Sequence, residues 1–99
     1  MLQIISCKRK NGEFQGRAYD NVVLYCADYD STNRALVFGP EIKEAKIKYE
    51  NFGVILGRNI GALNDKSIQK VEDIEGLGIV LVYNEFGNVV DFTLHKAMA

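Results

Sequence analysis

Ninety-nine residues, 47% hydrophobic and 25% charged, suffice for one small domain spanning 1–99 but leave no room for a second domain or a deep two-lobed cleft. The formal charge is −1, which as a total carries no polyanion signal. Its distribution does: the net charge is +3 over residues 1–17, −3 over 18–33, +2 over 34–58 and −3 over 59–99, so basic charge is concentrated in the first and third blocks.

In chain order, the start Met1-Leu2-Gln3-Ile4-Ile5-Ser6-Cys7 lacks the basic-then-apolar layout of a signal peptide. No window approaches the roughly 18 apolar residues of a membrane span, and a cytoplasmic protein without membrane contact is expected. Leu2 to Lys10 has strand composition and runs into Asn11-Gly12, a dipeptide that tolerates positive φ, which predicts a hairpin with a basic tip. Arg17 to Asp28 is the clearest strand. Val22, Leu24 and Cys26 alternate onto one side, and Tyr19, Val23, Tyr25 and Tyr29 onto the other.

Asp28 to Asn33 is turn-like, Ala35-Leu36-Val37-Phe38 predicts a short strand, and Gly39-Pro40 ends it. Ala45, Ile47 and Tyr49 alternate with Lys46 and Lys48, as in another strand. Over residues 50–75, Ile68, Val71 and Ile74 fit a helical stripe. Gly53, Gly57 and Gly61 argue against a long helix before it, so loops with at most one or two short helices are expected. Gly78 to Tyr83, the turn Asn84-Glu85-Phe86-Gly87-Asn88 and Val89 to Leu94 predict a C-terminal hairpin. About five short strands with little helix give a mostly β fold. A small five-stranded barrel of the oligonucleotide-binding (OB) type, with projecting hairpins, covers edges that a flat sheet of this size would expose.

Chemistry is sparse. Glu72, Asp73 and Glu75 form the one carboxylate cluster, which suits a solvated face better than acid–base catalysis. Cys7 and Cys26 lack an activating base nearby and are expected to be reduced and buried, while His95 has no Cys or His companion at metal-ligand spacing. The glycines between Gly53 and Gly61 match neither a dinucleotide loop nor a P-loop. No enzymatic activity, cofactor or metal is therefore expected.

What remains is a combination of cations and rings. Lys8, Arg9, Lys10, Arg17, Lys46 and Lys48 supply positive charge, and Phe14, Tyr19, Tyr25, Tyr29 and Phe86 supply aromatic faces. Cations neutralise phosphates, and a ring stacks on an unpaired base for about 1 to 3 kcal/mol with little regard to its identity. The competing explanations are ordinary: strand tyrosines often pack under a helix or at a subunit interface, and a Lys-Arg-Lys hairpin tip keeps a protein soluble.

Gly16-Arg17-Ala18-Tyr19, followed by Tyr25-Cys26-Ala27-Asp28, resembles the Gly-Lys-Pro-Tyr and Leu-Cys-x-x-Asp elements of the small dimeric single-stranded DNA-binding proteins of filamentous phages. Glu85-Phe86-Gly87-Asn88-Val89-Val90-Asp91 is similar to that family's C-terminal hairpin. The family's last-strand arginines correspond here to Asp91-Phe92-Thr93-Leu94, and its basic balance is absent. The resemblance implies an OB-type barrel homodimer that coats single strands without strong sequence preference. Arg17 would contact phosphate, Tyr19 and Tyr25 would belong to the binding face, and Phe86 would stack. The expected site is thus Lys8, Arg9, Lys10, Arg17, Tyr19, Tyr25, Lys46, Lys48 and Phe86, with single-stranded DNA, or else RNA, as ligand. The other expectation is a protein-interaction or assembly module of a phage or mobile element, its aromatic face buried against a partner.

Overall fold

Gln15 and Gly16 set the first turn of the chain. Both have positive φ (52° and 77°), the pair of left-handed conformations that lets a two-residue hairpin follow the strand twist. The computed structural model describes residues 2–96. In it the turn joins β1 (Leu2–Phe14) to β2 (Arg17–Asp28), and the ladder runs from Phe14 opposite Arg17 down to Leu2 opposite Asp28.

The turn expected at Asn11-Gly12 does not form: Asn11 lies opposite Asp20 and Gly12 opposite Tyr19, inside the ladder. Turning there would set Leu2 opposite Asn21 and leave Val22 to Asp28 without partners on β1, so the pairing of the whole of β2 outweighs a local dipeptide preference. One irregularity between Ile4 and Ser6 lets the strand bend as it leaves the body of the sheet.

β3 (Glu41–Lys48) pairs with β2, and β4 (Gly78–Tyr83) pairs with both β1 and β5 (Val89–His95). The result is one antiparallel five-stranded sheet in the order β3-β2-β1-β4-β5, mostly β as expected. The C-terminal hairpin forms where the sequence placed it. The short strand expected over Ala35 to Phe38 does not form. There Asn33 closes a tight turn by accepting the Ala35 N–H on its side chain and the Leu36 N–H on its carbonyl, leaving no extended run to pair.

Residues 50–75 also differ from expectation. Helix α1 spans Tyr49–Leu63, and a 3-10 turn spans Val71–Ile74. Phe52, Ile55 and Asn59 are buried, with Leu56, Ile60 and Leu63 half-buried beside them, which is the three- and four-residue spacing of an apolar helix face. Gly53, Gly57 and Gly61 recur every four residues away from that face, and a Cβ added to any of them would meet nothing within 4 Å. Their cost is therefore propensity alone, about 1 kcal/mol each, and burial of the opposite face carries the helix.

The sheet is not a closed barrel. β3 and β5, its two ends, approach one another without a shared ladder, and α1 packs against both. Asn59 explains how the β5 edge tolerates this. Its side-chain amide donates to the Phe92 carbonyl (3.0 Å) and the Ile55 carbonyl (2.9 Å), and its oxygen accepts the Leu94 N–H (2.9 Å). A helix side chain thus takes the hydrogen-bonding place of a sixth strand. Beneath it lies the core, where Phe92, Ile4, Leu24, Ile74, Ile79 and Cys26 are all but inaccessible, and Phe52 meets Phe92 at 5.8 Å between ring centroids.

Both cysteines are free thiols. Cys26 is buried as expected, and desolvation, helped by the neighbouring Cys7, pushes its thiol up to about 11. Cys7 is exposed instead, because β1 has left β4 before that point, although partial burial still raises its thiol above the ordinary value.

Candidate nucleic-acid interface

β4 pairs with β1 only at Leu2 and Gln3, and β3 ends opposite Asn21, so the ribbon from Asn11 to Asp20 is paired only with itself. It stands beyond the sheet as an arm. Alternation assigns one face of this arm and its root. Across β1, β2 and β3 the rows are Ser6/Tyr25/Glu44, Lys8/Val23/Lys46 and Lys10/Asn21/Lys48, followed by Gly12/Tyr19 and Phe14/Arg17 on the arm. The register thereby brings together Lys8, Lys10, Arg17, Lys46 and Lys48 with Tyr19, Tyr25 and Phe14. Glu44 is the one carboxylate in these rows.

Among the described residues, none of those five cations takes part in an ion pair; the pairs belong to Arg9, Lys43 and Arg58. The face also has relief. A hollow of about 830 Å³ lies among Lys10, Phe14, Arg17, Tyr19, Asn21 and Lys46. A second, of about 420 Å³, lies on the side of Tyr19 toward Lys48 and Tyr49. Tyr19 thus borders both. Phe14 and Tyr19 are exposed, Tyr25 is half-buried, and Val23, in the row between Lys8 and Lys46, is buried.

Two expected site residues are placed elsewhere. Arg9 lies on the opposite face, where its guanidinium holds both oxygens of Asp20 (3.0 and 2.7 Å) and covers the Tyr49 ring, 3.7 Å from its centroid. The hydrogen bonds from Arg9 hold the Asp20 carboxyl below the usual range and raise Arg9 in turn. This clamp ties the root of the arm to the start of α1.

Phe86 caps the β4–β5 turn at the other end of the sheet, because β4 runs antiparallel to β1 and away from the arm. Asn84 shapes that turn by accepting the N–H groups of Phe86 and Asn88 on its side chain, which leaves the Phe86 ring 79% exposed. The β2–β3 loop emerges at the same end, with Tyr29 exposed and Val37 and Phe38 bare at 94% and 89%.

The carboxylates Glu72, Asp73 and Glu75 divide between a turn and a groove. Asp73 accepts the N–H groups of Gln69 (2.9 Å) and Lys70 (3.0 Å), which lower its pKa and start the 3-10 turn. Glu72 and Glu75 rim a groove of about 590 Å³ beside Cys7 and Arg9, where β1 has left β4. Among the described residues no group of three or more His, Cys, Asp or Glu is placed to hold a metal ion, and no helix is long and apolar enough to cross a membrane. His95 is exposed at the end of β5.

Phe14 and Asn21 join the site through the register, which a lone strand pattern does not reveal; Phe14 was visible as an aromatic, whereas Asn21 gave no signal. Comparisons with protein-family models, with curated proteins and with solved structures find no match to this chain.

Proposed function

We propose that this protein binds single-stranded nucleic acid without sequence selectivity, DNA being the reference ligand, along the arm face. The observation that carries this reading is the gathering of five unpaired cations on one face, three of which (Lys10, Arg17 and Lys46) surround one hollow together with two exposed rings. Lys8, Lys10, Lys46, Lys48 and Arg17 neutralise phosphates and release counterions; Tyr19 and Phe14 stack on unpaired bases. The five-stranded order with approaching ends supports an OB-type parentage left open between β3 and β5.

Titrating labelled oligo-dT at several salt concentrations tests the proposal. Binding weakens as salt rises, with a slope of about 0.7 per phosphate neutralised, and Arg17→Ala or Lys46→Ala reduces that slope. Tyr19→Ala weakens binding by about 1 to 3 kcal/mol at nearly unchanged slope. Absence of binding at low salt contradicts the proposal.

One observation favours a second reading, a protein-interaction or assembly module: the bare Val37, Phe38 and Phe86 at the end away from the arm. A second copy of the chain, forming the homodimer, is the simplest partner for that end. A dimer mass in sedimentation that Phe38→Ser or Phe86→Ser reduces to that of one chain, with no oligonucleotide binding, would favour this module over the arm-face reading.

A further inference from the structure

We propose that Gly12 is a positioning residue for base stacking, and that it makes Tyr19 the principal base platform of the arm. This rests on the nucleic-acid reading above. Gly12 and Tyr19 are directly opposed across the β1–β2 ladder. A Cβ built on Gly12 would lie 3.0 Å from the Tyr19 Oη, 3.2 Å from Cζ and 3.4 Å from Cε1. The three distances put that point to one side of the ring plane, over its Cζ–Oη end. The phenol end of Tyr19 therefore lies beside the bare β1 backbone, and a side chain at position 12 would displace the ring.

The consequence is that Gly12 leaves the room in which the Tyr19 ring sits against β1. Tyr19 is 43% exposed, so part of the side chain remains open to a base. Lys10 precedes it by one row on the same face and Arg17 follows by one, so cations flank the platform along the arm. The other rings considered for stacking are placed differently. Tyr25 is half-buried in the row containing Glu44, Phe86 is at the far end of the sheet, and Phe14 is 68% exposed in the last row before the turn. A pre-set ring pays no ordering cost when a base arrives.

The test is a double-mutant cycle of Gly12→Ala and Tyr19→Ala in the full chain, read against two ligands: an oligo-dT of about 12 nucleotides and an abasic strand of the same length. The abasic strand keeps the phosphates and lacks the bases. The expected result is that Tyr19→Ala loses about ten-fold affinity for oligo-dT and little for the abasic strand. Gly12→Ala loses a comparable factor on oligo-dT when Tyr19 is present and almost nothing when Tyr19 is already Ala.

The Tyr19→Ala background also isolates any backbone strain of alanine at the Gly12 φ of +158°, because the ring it would strike is gone. Equal losses from Gly12→Ala in both backgrounds, or equal losses on both ligands, overturn the positioning role. So does Gly12→Ala without effect on oligo-dT. A wild-type protein that binds both ligands equally removes base stacking itself, which is a failure of the underlying reading and is distinguishable from the others.

Discussion

Single side chains decide how this small sheet ends. Asn59 is the one buried polar residue among those described, and it satisfies two backbone groups on the free edge of β5 while anchoring to its own helix. Asn59→Leu leaves the Phe92 carbonyl and the Leu94 N–H without partners in a buried setting. It is expected to cost about 2 to 4 kcal/mol in urea-induced unfolding, and a loss below about 1 kcal/mol would show that the edge is satisfied in another way. Arg9 illustrates the opposite use of a polar group. The sequence offered Lys8-Arg9-Lys10 as one basic tip, but strand alternation turns the middle residue to the other face, where Asp20 and Tyr49 engage it. Composition registers three equivalent charges; only the register separates two that face the hollow side from one that braces the arm.

At the scale of elements, what the sequence revealed depended on whether the signal was local or relational. β2 and the C-terminal hairpin were legible because alternation and turn residues lie within a few positions of each other. The first turn was not, since Asn11-Gly12 is the stronger local signal and loses only because β2 needs a partner along its whole length. Helix α1 was hidden by Gly53, Gly57 and Gly61, which lower propensity but occupy a face that packs on nothing within the described chain. Each Gly→Ala substitution there is expected to stabilise the protein by about 1 kcal/mol, raising the urea midpoint at unchanged m-value. A destabilising outcome at any of the three would mean that this face is occupied.

Across the whole molecule the two ends differ in chemistry. The arm and its root carry the five unpaired cations with Tyr19 and Phe14, and the opposite end carries the exposed Val37, Phe38 and Phe86. Net charge near zero is thus compatible with a strongly basic face, because acidic residues other than Glu44 pair with Arg9, Lys43 and Arg58 or lie outside its rows. Of the site expected from sequence, Lys8, Lys10, Arg17, Tyr19, Tyr25, Lys46 and Lys48 converge, whereas Arg9 and Phe86 do not. Residue type was readable from the chain, but face and end follow from pairing across distant segments. The most direct test of the central claim, that the arm face holds single strands, is a two-dimensional amide NMR titration with oligo-dT. Shifts are expected to concentrate in residues 8–21 and 46–48 with quiet signals at 36–38 and 84–88; shifts confined to the latter two segments, or none at all, would contradict that claim.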